Sequence, residues 1–510
     1  MGAGLTLAVF ICFFSIALHL CTDSKCASNI PLVKVTKGKR PWLSGYLSYL
    51  SNANEAIYQA YHRYSKHGLI CQLPSNTFGT SIILPSKDIP WLLAQPLDLL
   101  SFYEWAVESM QARWTLGDTR YGTDDSILHI QHVAIRAASS TMIPQYQDEL
   151  EHSIDRVLGN DYETWKAVDP APAMDSILLQ SSLRYIVGSP LCANEAFLRW
   201  YRIYIRIVFP TSEILRLVPS IMRPVVGNIL SLPRWIVLRK LQSLIRPTFD
   251  KRLRLLALQP EDSSTHLPQD FLQHLMRSLY QRNSPDLNTH FVTIQLILFS
   301  ISATFSTSLL ASHVFYDILA SDPEYNTLAE IHAELNAVFG YPDPNQKQFW
   351  TRLETEKLPK IDSILRECLR INNLPGQSMP RKVMTSGLQT PDGYELPKGA
   401  TVSLLARGPQ MDANIYPEPH KFVPFRHLQL KKRLVETGPE FLAFGHQSGS
   451  CPGRFLLAVE LKMLVAYLVR RYELELPSEY NGKRPQAGWF GEFCLPPKNG
   501  RIRIRRKKDL

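Results

Sequence analysis

The longest apolar pattern in the chain begins near His290: from Phe291 to Tyr316 there is no Asp, Glu, Lys or Arg. A helix of that length and apolarity suits either a membrane span or the centre of a soluble domain. Ser300, Ser302, Thr304, Ser306, Thr307 and Ser308 crowd its middle, which favours a buried central helix with hydroxyls gathered near a site. Elsewhere helical periodicity alternates with Pro-rich loops, and regular strand alternation is scarce. Short strands are predicted at Leu69–Gln72, Ser81–Leu84, Gly393–Leu396 and Thr401–Leu405. The last two flank Pro397-Lys398-Gly399, a natural turn between paired strands. The pattern therefore predicts one large, mainly α domain with small β-sheets, without internal repeats or low-complexity tracts.

A second apolar run, Leu5 to Cys21, is interrupted only by Thr6, Ser15 and His19. Its length lies between a signal-peptide core and a bilayer span. No basic region precedes it and no small-x-small cleavage site closes it before Asp23, so residues 1–22 are expected to form a retained membrane anchor. Lys34, Lys37, Lys39 and Arg40 follow, and this asymmetry places the bulk of the chain in the cytosol. Residues 23–41 read as a basic linker and 42–510 as the folded domain.

Composition fits that division. With 45% apolar and 20% charged residues, the 510-residue chain can bury a sizeable core. Its formal charge of +10 suits nucleic acid, anionic lipid or an acidic protein. The chain shows no Arg-rich recognition helix, zinc-finger spacing or RNA-binding aromatic motif, so nucleic acid is set aside. Of the eight cysteines, two lie in the anchor, and Cys26, Cys71, Cys192, Cys368, Cys451 and Cys494 are scattered without zinc spacing.

One cysteine stands apart. Phe444-Gly445-His446-Gln447-Ser448-Gly449-Ser450-Cys451-Pro452-Gly453-Arg454 is a Gly- and Ser-rich loop leading to a helix opened by Pro452. A thiolate there faces the positive end of the helix dipole and nearby backbone N–H groups. On these residues alone, an inert buried cysteine after a glycine turn fits as well. Upstream, Glu367 and Arg370 lie three apart on one helix face, and Phe422-Val423-Pro424-Phe425-Arg426 follows Tyr416-Pro417. If Arg426 approaches, one carboxylate and two guanidiniums form a charge-assisted network.

Taken in order, these motifs resemble the cytochrome P450 superfamily. Phe444, Cys451 and Gly453 match its heme-binding loop, and Arg454-Phe455 with Glu460-Leu461-Lys462 look like fungal members related to ent-kaurene oxidase. The resemblance implies the P450 fold with an N-terminal anchor helix, and heme (iron protoporphyrin IX) bound through the Cys451 thiolate. Such a thiolate pushes electron density toward dioxygen and favours O–O cleavage. It further implies propionate contacts from His132, Arg136 and Arg381, and a structural network of Glu367, Arg370 and Arg426 behind the heme. Electrons would come from a separate NADPH-dependent flavoprotein reductase or cytochrome b5, with Lys431, Lys432 and Arg433 helping it dock. The expected location is the endoplasmic reticulum membrane. The substrate pocket would use Arg113–Asp125, Phe299–Thr307, Pro375–Pro380 and Trp489–Leu495. Phe299, Phe305, Met379, Trp489 and Phe490 suggest an apolar small molecule, such as a terpenoid, indole or polyketide intermediate of fungal secondary metabolism.

Three departures qualify the resemblance. Gln447 replaces the loop's usual glycine, Gly449 stands at its usual cation, and Phe305 occupies the polar relay position of the long helix. Ser306 takes the usual Thr position, followed by Thr307; either hydroxyl could organise water for proton delivery. Two readings follow: hydroxylation or epoxidation with water-mediated proton supply, or oxidative coupling, ring closure or desaturation. A thiolate-heme isomerase or dehydratase, or an inactive scaffold, are the readings from other classes.

Overall fold

The charge-free stretch folds as one helix, Thr289–Tyr325, which we call the long helix. Asn288 opens it by accepting from the Phe291 N–H, and Asn326 closes it in the left-handed region at φ 50. It is long and apolar enough to cross a membrane, but most of it is buried among other helices, so the central-helix reading holds. Pro170–Ile186 packs along it, Ile143–Leu158 packs on Pro170–Ile186, and Arg223–Leu258 crosses from the other side. Phe271, from Phe271–Gln281, meets Phe299 of the long helix with ring centroids 4.3 Å apart. The computed structural model describes residues 29–33, 41–74, 80–119, 125–218, 220–258, 268–341 and 350–508. The expected anchor and most of the basic linker lie outside the described residues. Ile30 and Val33, at the linker's described part, are buried; Gln72 N–H donates to Pro31 O at 2.8 Å.

The hydroxyls of the long helix turn inward on its own backbone. Ser300, Ser302, Thr304 and Thr307 each donate to the carbonyl four residues back. In a stretch with no Asp, Glu, Lys or Arg and few polar neighbours this is how a buried hydroxyl is satisfied.

The main sheet has the order β1 (Cys71–Pro74), β2 (Thr80–Ile83), β8 (Thr401–Leu405), β5 (Gln377–Val383), β3 (Leu100–Ser101). β8 runs parallel to β2 and antiparallel to β5. The predicted pairing across Pro397–Gly399 is not made. The strand before that turn, β7 (Glu395–Leu396), pairs instead with β6 (Leu388–Gln389), while β8 joins the main sheet. Gly399 N–H donates to Val383 O, so the turn is drawn toward β5 and cannot close a hairpin. The β5–β8 register shifts between Ser378 and Arg381, and within that irregularity Met379 takes φ 53. A bulge re-aims side chains, here toward the cysteine loop. A hairpin of β10 (Gly488–Phe490) and β11 (Phe493–Leu495), and a sheet of β4 (Lys166–Val168), β12 (Ile502–Arg506) and β9 (Tyr472–Glu475), complete the strands used below.

A buried polar cluster ties the C-terminal segment to the long helix. Arg484 pairs with Asp317 and donates from Nη2 to His313 Nδ1 at 2.7 Å. Asn372 Nδ2 donates to Asp317 Oδ2 at 2.7 Å. A guanidinium only donates, so His313 Nδ1 is an acceptor; burial and Arg484 push its pKa down to about 3 and keep the ring neutral. Removing Arg484 would strand a carboxylate in the core. Arg484→Ala should therefore cost about 3–5 kcal/mol in denaturant unfolding. Adding Asp317→Asn should recover a substantial part, because the stranded charge is gone. Additive losses in that double variant would show the pair is not the reason.

Candidate active site

The cysteine loop is folded back on itself by its own glycines. Gly445 has φ 71, and a Cβ there would stand 2.5 Å from Gly449 O, so only glycine fits. Cys451 N–H donates to Phe444 O at 2.7 Å, which places the sulfur at the mouth of the helix Arg454–Arg471, the cysteine helix. Phe444 is buried beneath the loop, and Gly453 is the helix N-cap. Burial pushes the Cys451 thiol up, opposed by the backbone N–H groups of Gly453 and Arg454 and by the Arg454 guanidinium. Arg454 is itself fixed, donating to Cys451 O at 2.7 Å and Val435 O at 3.2 Å.

Cys451 differs from the other described free cysteines. Cys71, Cys192, Cys368 and Cys494 are buried, whereas Cys451 keeps accessible surface although protein surrounds it. The long helix, which packs on the cysteine helix, shows a bare stripe: Ser302, Phe305, Ser306 and Leu309 are accessible, with half-buried Ala303 beside them, while Ile301, Thr304, Thr307, Ser308 and Leu310 are buried. Positions spaced by three, four and seven lie on one helix face. Two open surfaces deep in a packed domain are what a slot for a flat group leaves uncovered.

Behind the cysteine loop lies the acid network. Glu367, on Pro359–Ile371, is fully buried. Arg370 grips both its oxygens, each at 2.8 Å, and Arg426 Nε donates to Oε1 at 3.0 Å. Burial opposes ionisation of Glu367, but hydrogen bonds from Arg370 and His427 outweigh it and hold the carboxyl below its ordinary range. His427 is a member the sequence reading missed: its Nε2 lies 3.0 Å from Glu367 Oε2. A carboxylate only accepts, so Nε2 carries the proton; burial pushes His427 down, keeping it neutral, and leaves Nδ1 buried without a partner. Its position directly after Arg426 was the available signal. Arg370 also donates to the carbonyls of Gln410 (2.7 Å) and Pro419 (2.8 Å), and Arg426 to that of Pro417 (2.6 Å). The predicted trio thus forms, and it clamps the loop that precedes the cysteine.

The remaining expected residues divide. A Cβ on Gly449 would lie 2.9 Å from Met379 Cε and 3.4 Å from Arg381 Nη2, so both side chains press on the cysteine loop. Arg381 donates to Pro380 O at 2.9 Å and has no carboxylate within ion-pair distance among the described residues; burial pushes its pKa down. Phe305 is 39% exposed and stacks on Phe209 with centroids 4.6 Å apart. Ser306 shares the open stripe, and its hydroxyl has no protein partner among the described residues. Thr307, by contrast, is buried and bonded to Ala303 O, so it faces the core rather than the open surface. Phe299 is likewise packed into the core against Phe271, a correction to its expected place in the pocket. Phe299 lies seven residues before Ser306, on the same helix face as the stripe, and is buried because the ring of Phe271 covers it. His132 and Arg136 are exposed on Asp125–Ala138 and make no contact with the cysteine loop among the described residues. Trp489 lies under Arg407, 4.6 Å from ring centroid to Cζ, and Phe490 is exposed on the hairpin.

The cytochrome P450 family model matches residues 145–504. The chain is 31% identical to the cytochrome P450 monooxygenase pbrC of Penicillium brasilianum, covering 99% of this chain and 95% of that one. It is equally 31% identical to the monooxygenase astC of Aspergillus terreus (99% and 95%) and to tenB of Beauveria bassiana (92% and 90%). Among solved structures, a cyanobacterial CYP120A1 with bound retinoic acid shares the fold at TM-score 0.63 and 17% identity, over 94% of this chain and 99% of that one.

The acid network makes a stability prediction with a defined sign. Glu367→Gln leaves two guanidiniums facing a neutral amide and should cost about 3–5 kcal/mol in denaturant unfolding. Because the folded carboxyl titrates below its unfolded value, its contribution is present above about pH 4.5 and drains away as the pH falls toward the lowered value. Wild type should therefore lose more stability than Glu367→Gln on acidification from about pH 5 to about pH 3. Parallel losses in the two proteins would refute this.

Proposed function

The chain belongs to the cytochrome P450 family, an oxidoreductase family whose cofactor is heme with an axial cysteine thiolate, and we propose that Cys451 supplies that thiolate in a membrane-anchored monooxygenase. The observation that carries this reading is the accessible sulfur at the mouth of the cysteine helix, on which the long helix with its open stripe packs. Cys494 is the alternative sulfur. It is buried on β11 beside His313 (4.0 Å), and burial pushes its thiol up to about 11 against the pull of Arg407 and Arg484.

The residues present fit a heme. Arg381, an enclosed guanidinium without a carboxylate, would hold a propionate, with Arg136 and His132 as further contacts from their exposed positions. Heme held by a thiolate supplies activated dioxygen for oxidation of a bound organic molecule. Around it, the N–H groups of Gly453 and Arg454 steady the sulfur. The Phe305–Phe209 pair shields the open stripe from water, and the Ser306 hydroxyl orients a water for proton delivery.

Electrons would enter from a separate NADPH-dependent flavoprotein reductase or cytochrome b5. A pocket of about 490 Å³ beside the cysteine helix, lined by Lys431, Lys432, Arg433 and the exposed Phe455, suits an acidic donor protein. Membrane attachment rests on the run Leu5–Cys21, supported by an exposed stripe of Ile221, Val225, Ile229, Leu232 and Ile236. The endoplasmic reticulum, with the domain in the cytosol, is the matching location. The substrate is an apolar small molecule, and the fungal monooxygenase relatives support a secondary-metabolite pathway; the ent-kaurene-oxidase-like kind rests on Arg454-Phe455 and Glu460-Leu461-Lys462 alone. Phe305 favours a second reading, since it cannot relay a proton: net oxidation by coupling, ring closure or desaturation without oxygen insertion.

Cys451→Ala should abolish the thiolate-type carbon-monoxide difference band, while Cys494→Ala should keep it; the reverse result would reassign the ligand. With a candidate intermediate, reductase and labelled dioxygen, one labelled oxygen in the product supports hydroxylation or epoxidation. Oxidised product without label supports the second reading, and turnover without NADPH or oxygen would overturn both.

A further inference from the structure

The segment from Arg433 to Thr437, just before the cysteine loop, is gripped from two sides. From Pro359–Ile371, Arg366 Nη1 donates to the carbonyls of Arg433 at 2.6 Å and Glu436 at 2.7 Å. From the cysteine helix, Arg454 Nε donates to the carbonyl of Val435 at 3.2 Å, and its Nη1 to Cys451 O at 2.7 Å. Leu434 N–H donates to Asp362 Oδ2 at 2.5 Å, and Thr437 Oγ1 lies 3.0 Å from Nδ1 of His446 in the cysteine loop. The segment thus shares its carbonyls between two guanidiniums, one of which also holds the backbone of the cysteine.

Arg366 is buried, and among the described residues no carboxylate lies within ion-pair distance of it. Its guanidinium lies over the Phe441 ring, 3.7 Å from Cζ to the centroid. A buried cation without an anion is costly, and burial pushes its pKa down. Filling that space needs only an apolar side chain. What a guanidinium adds is a flat fork that meets carbonyls in a fixed geometry. Arg454, by contrast, is only half-buried, and its charge favours the Cys451 thiolate. A long side chain with that much freedom loses rotamer entropy when it is held in one place. Its station beside the cysteine therefore depends on the Val435 carbonyl being where it is.

We infer that Arg366 is a positioning residue for the iron's sulfur ligand: by fixing the carbonyls of Arg433 and Glu436 it aims Val435 O at Arg454 and so keeps that cation beside Cys451. A cation beside a thiolate draws electron density from it and eases reduction of the iron it holds. Among the described residues no hydrogen bond joins Arg366 to the cysteine loop itself, so its influence passes through Arg454. This rests on the heme reading above.

The test measures the reduction potential of the full-length holoenzyme by spectroelectrochemistry, on variants that keep the thiolate-type carbon-monoxide band. Arg366→Lys keeps the buried charge and loses the fork, so its potential should shift to more negative values. Arg454→Gln removes the cation itself and should shift further in the same direction. In the Arg454→Gln background, Arg366→Lys should add no shift, because the group it acts through is gone. Phe441→Leu takes away the ring under the guanidinium at constant charge. It should give a smaller shift that likewise vanishes without Arg454, and it carries the test where Arg366→Lys fails to bind heme. Additive shifts, or an unchanged potential in the variant that carries the test, overturn the inference alone. An absent band in wild type overturns the heme reading and this inference with it.

Discussion

Everything behind the cysteine loop depends on neutralising one fully buried carboxylate. Glu367 is held by the forked guanidinium of Arg370, by Arg426 and by the neutral ring of His427. An ion cluster at this depth is a poor source of net stability, because desolvation consumes most of the attraction. What it supplies is position. The spare donors of the two arginines reach the carbonyls of Gln410, Pro417 and Pro419, so an irregular stretch with no ladder of its own is fixed in one path. Arg366 extends the same device, donating to the carbonyls of Arg433 (2.6 Å) and Glu436 (2.7 Å) just before the cysteine loop.

A rigid loop on one side and a rigid helix on the other then define the open space. Most of the central hydroxyls of the long helix are satisfied within it, with Ser300, Thr304 and Thr307 each returning to the carbonyl four residues back. Between Phe291 and Leu319, accessible surface is confined to the segment from Ser302 to Leu309. The site is therefore a gap in an otherwise continuous core, and its polarity comes from few groups, Ser306 and Arg381 among them.

Much of this was legible in the residues. The charge-free stretch announced the long helix, and the spacing of Glu367 and Arg370 announced one face of the network. Phase was harder to read. A helix apolar all round carries no marker of which side is bare, so Thr307 was expected at the edge of the site, whereas it is buried; Phe299 does lie on the open face and is buried because Phe271 covers it. The β7–β8 hairpin failed for a different reason: a good turn is local, but the partner of β8 is chosen by the sheet. His427 was missed because it acts through a contact to Glu367, far back in the chain.

The contact between Gly449 and Met379 carries a consequence for how this loop can change. A side chain at position 449 needs the volume that Met379 Cε and Leu93 Cδ2 already fill, at 2.9 Å and 3.0 Å from the missing Cβ. Both atoms are the far ends of flexible side chains, so a Cβ at 449 is admitted only as Met379 and Leu93 swing aside together. The Arg381 guanidinium stands 3.4 Å from the same point, so a cation placed at 449 would also meet a like charge. The bare glycine is thus what lets Met379 and Arg381 share the flank of the cysteine loop.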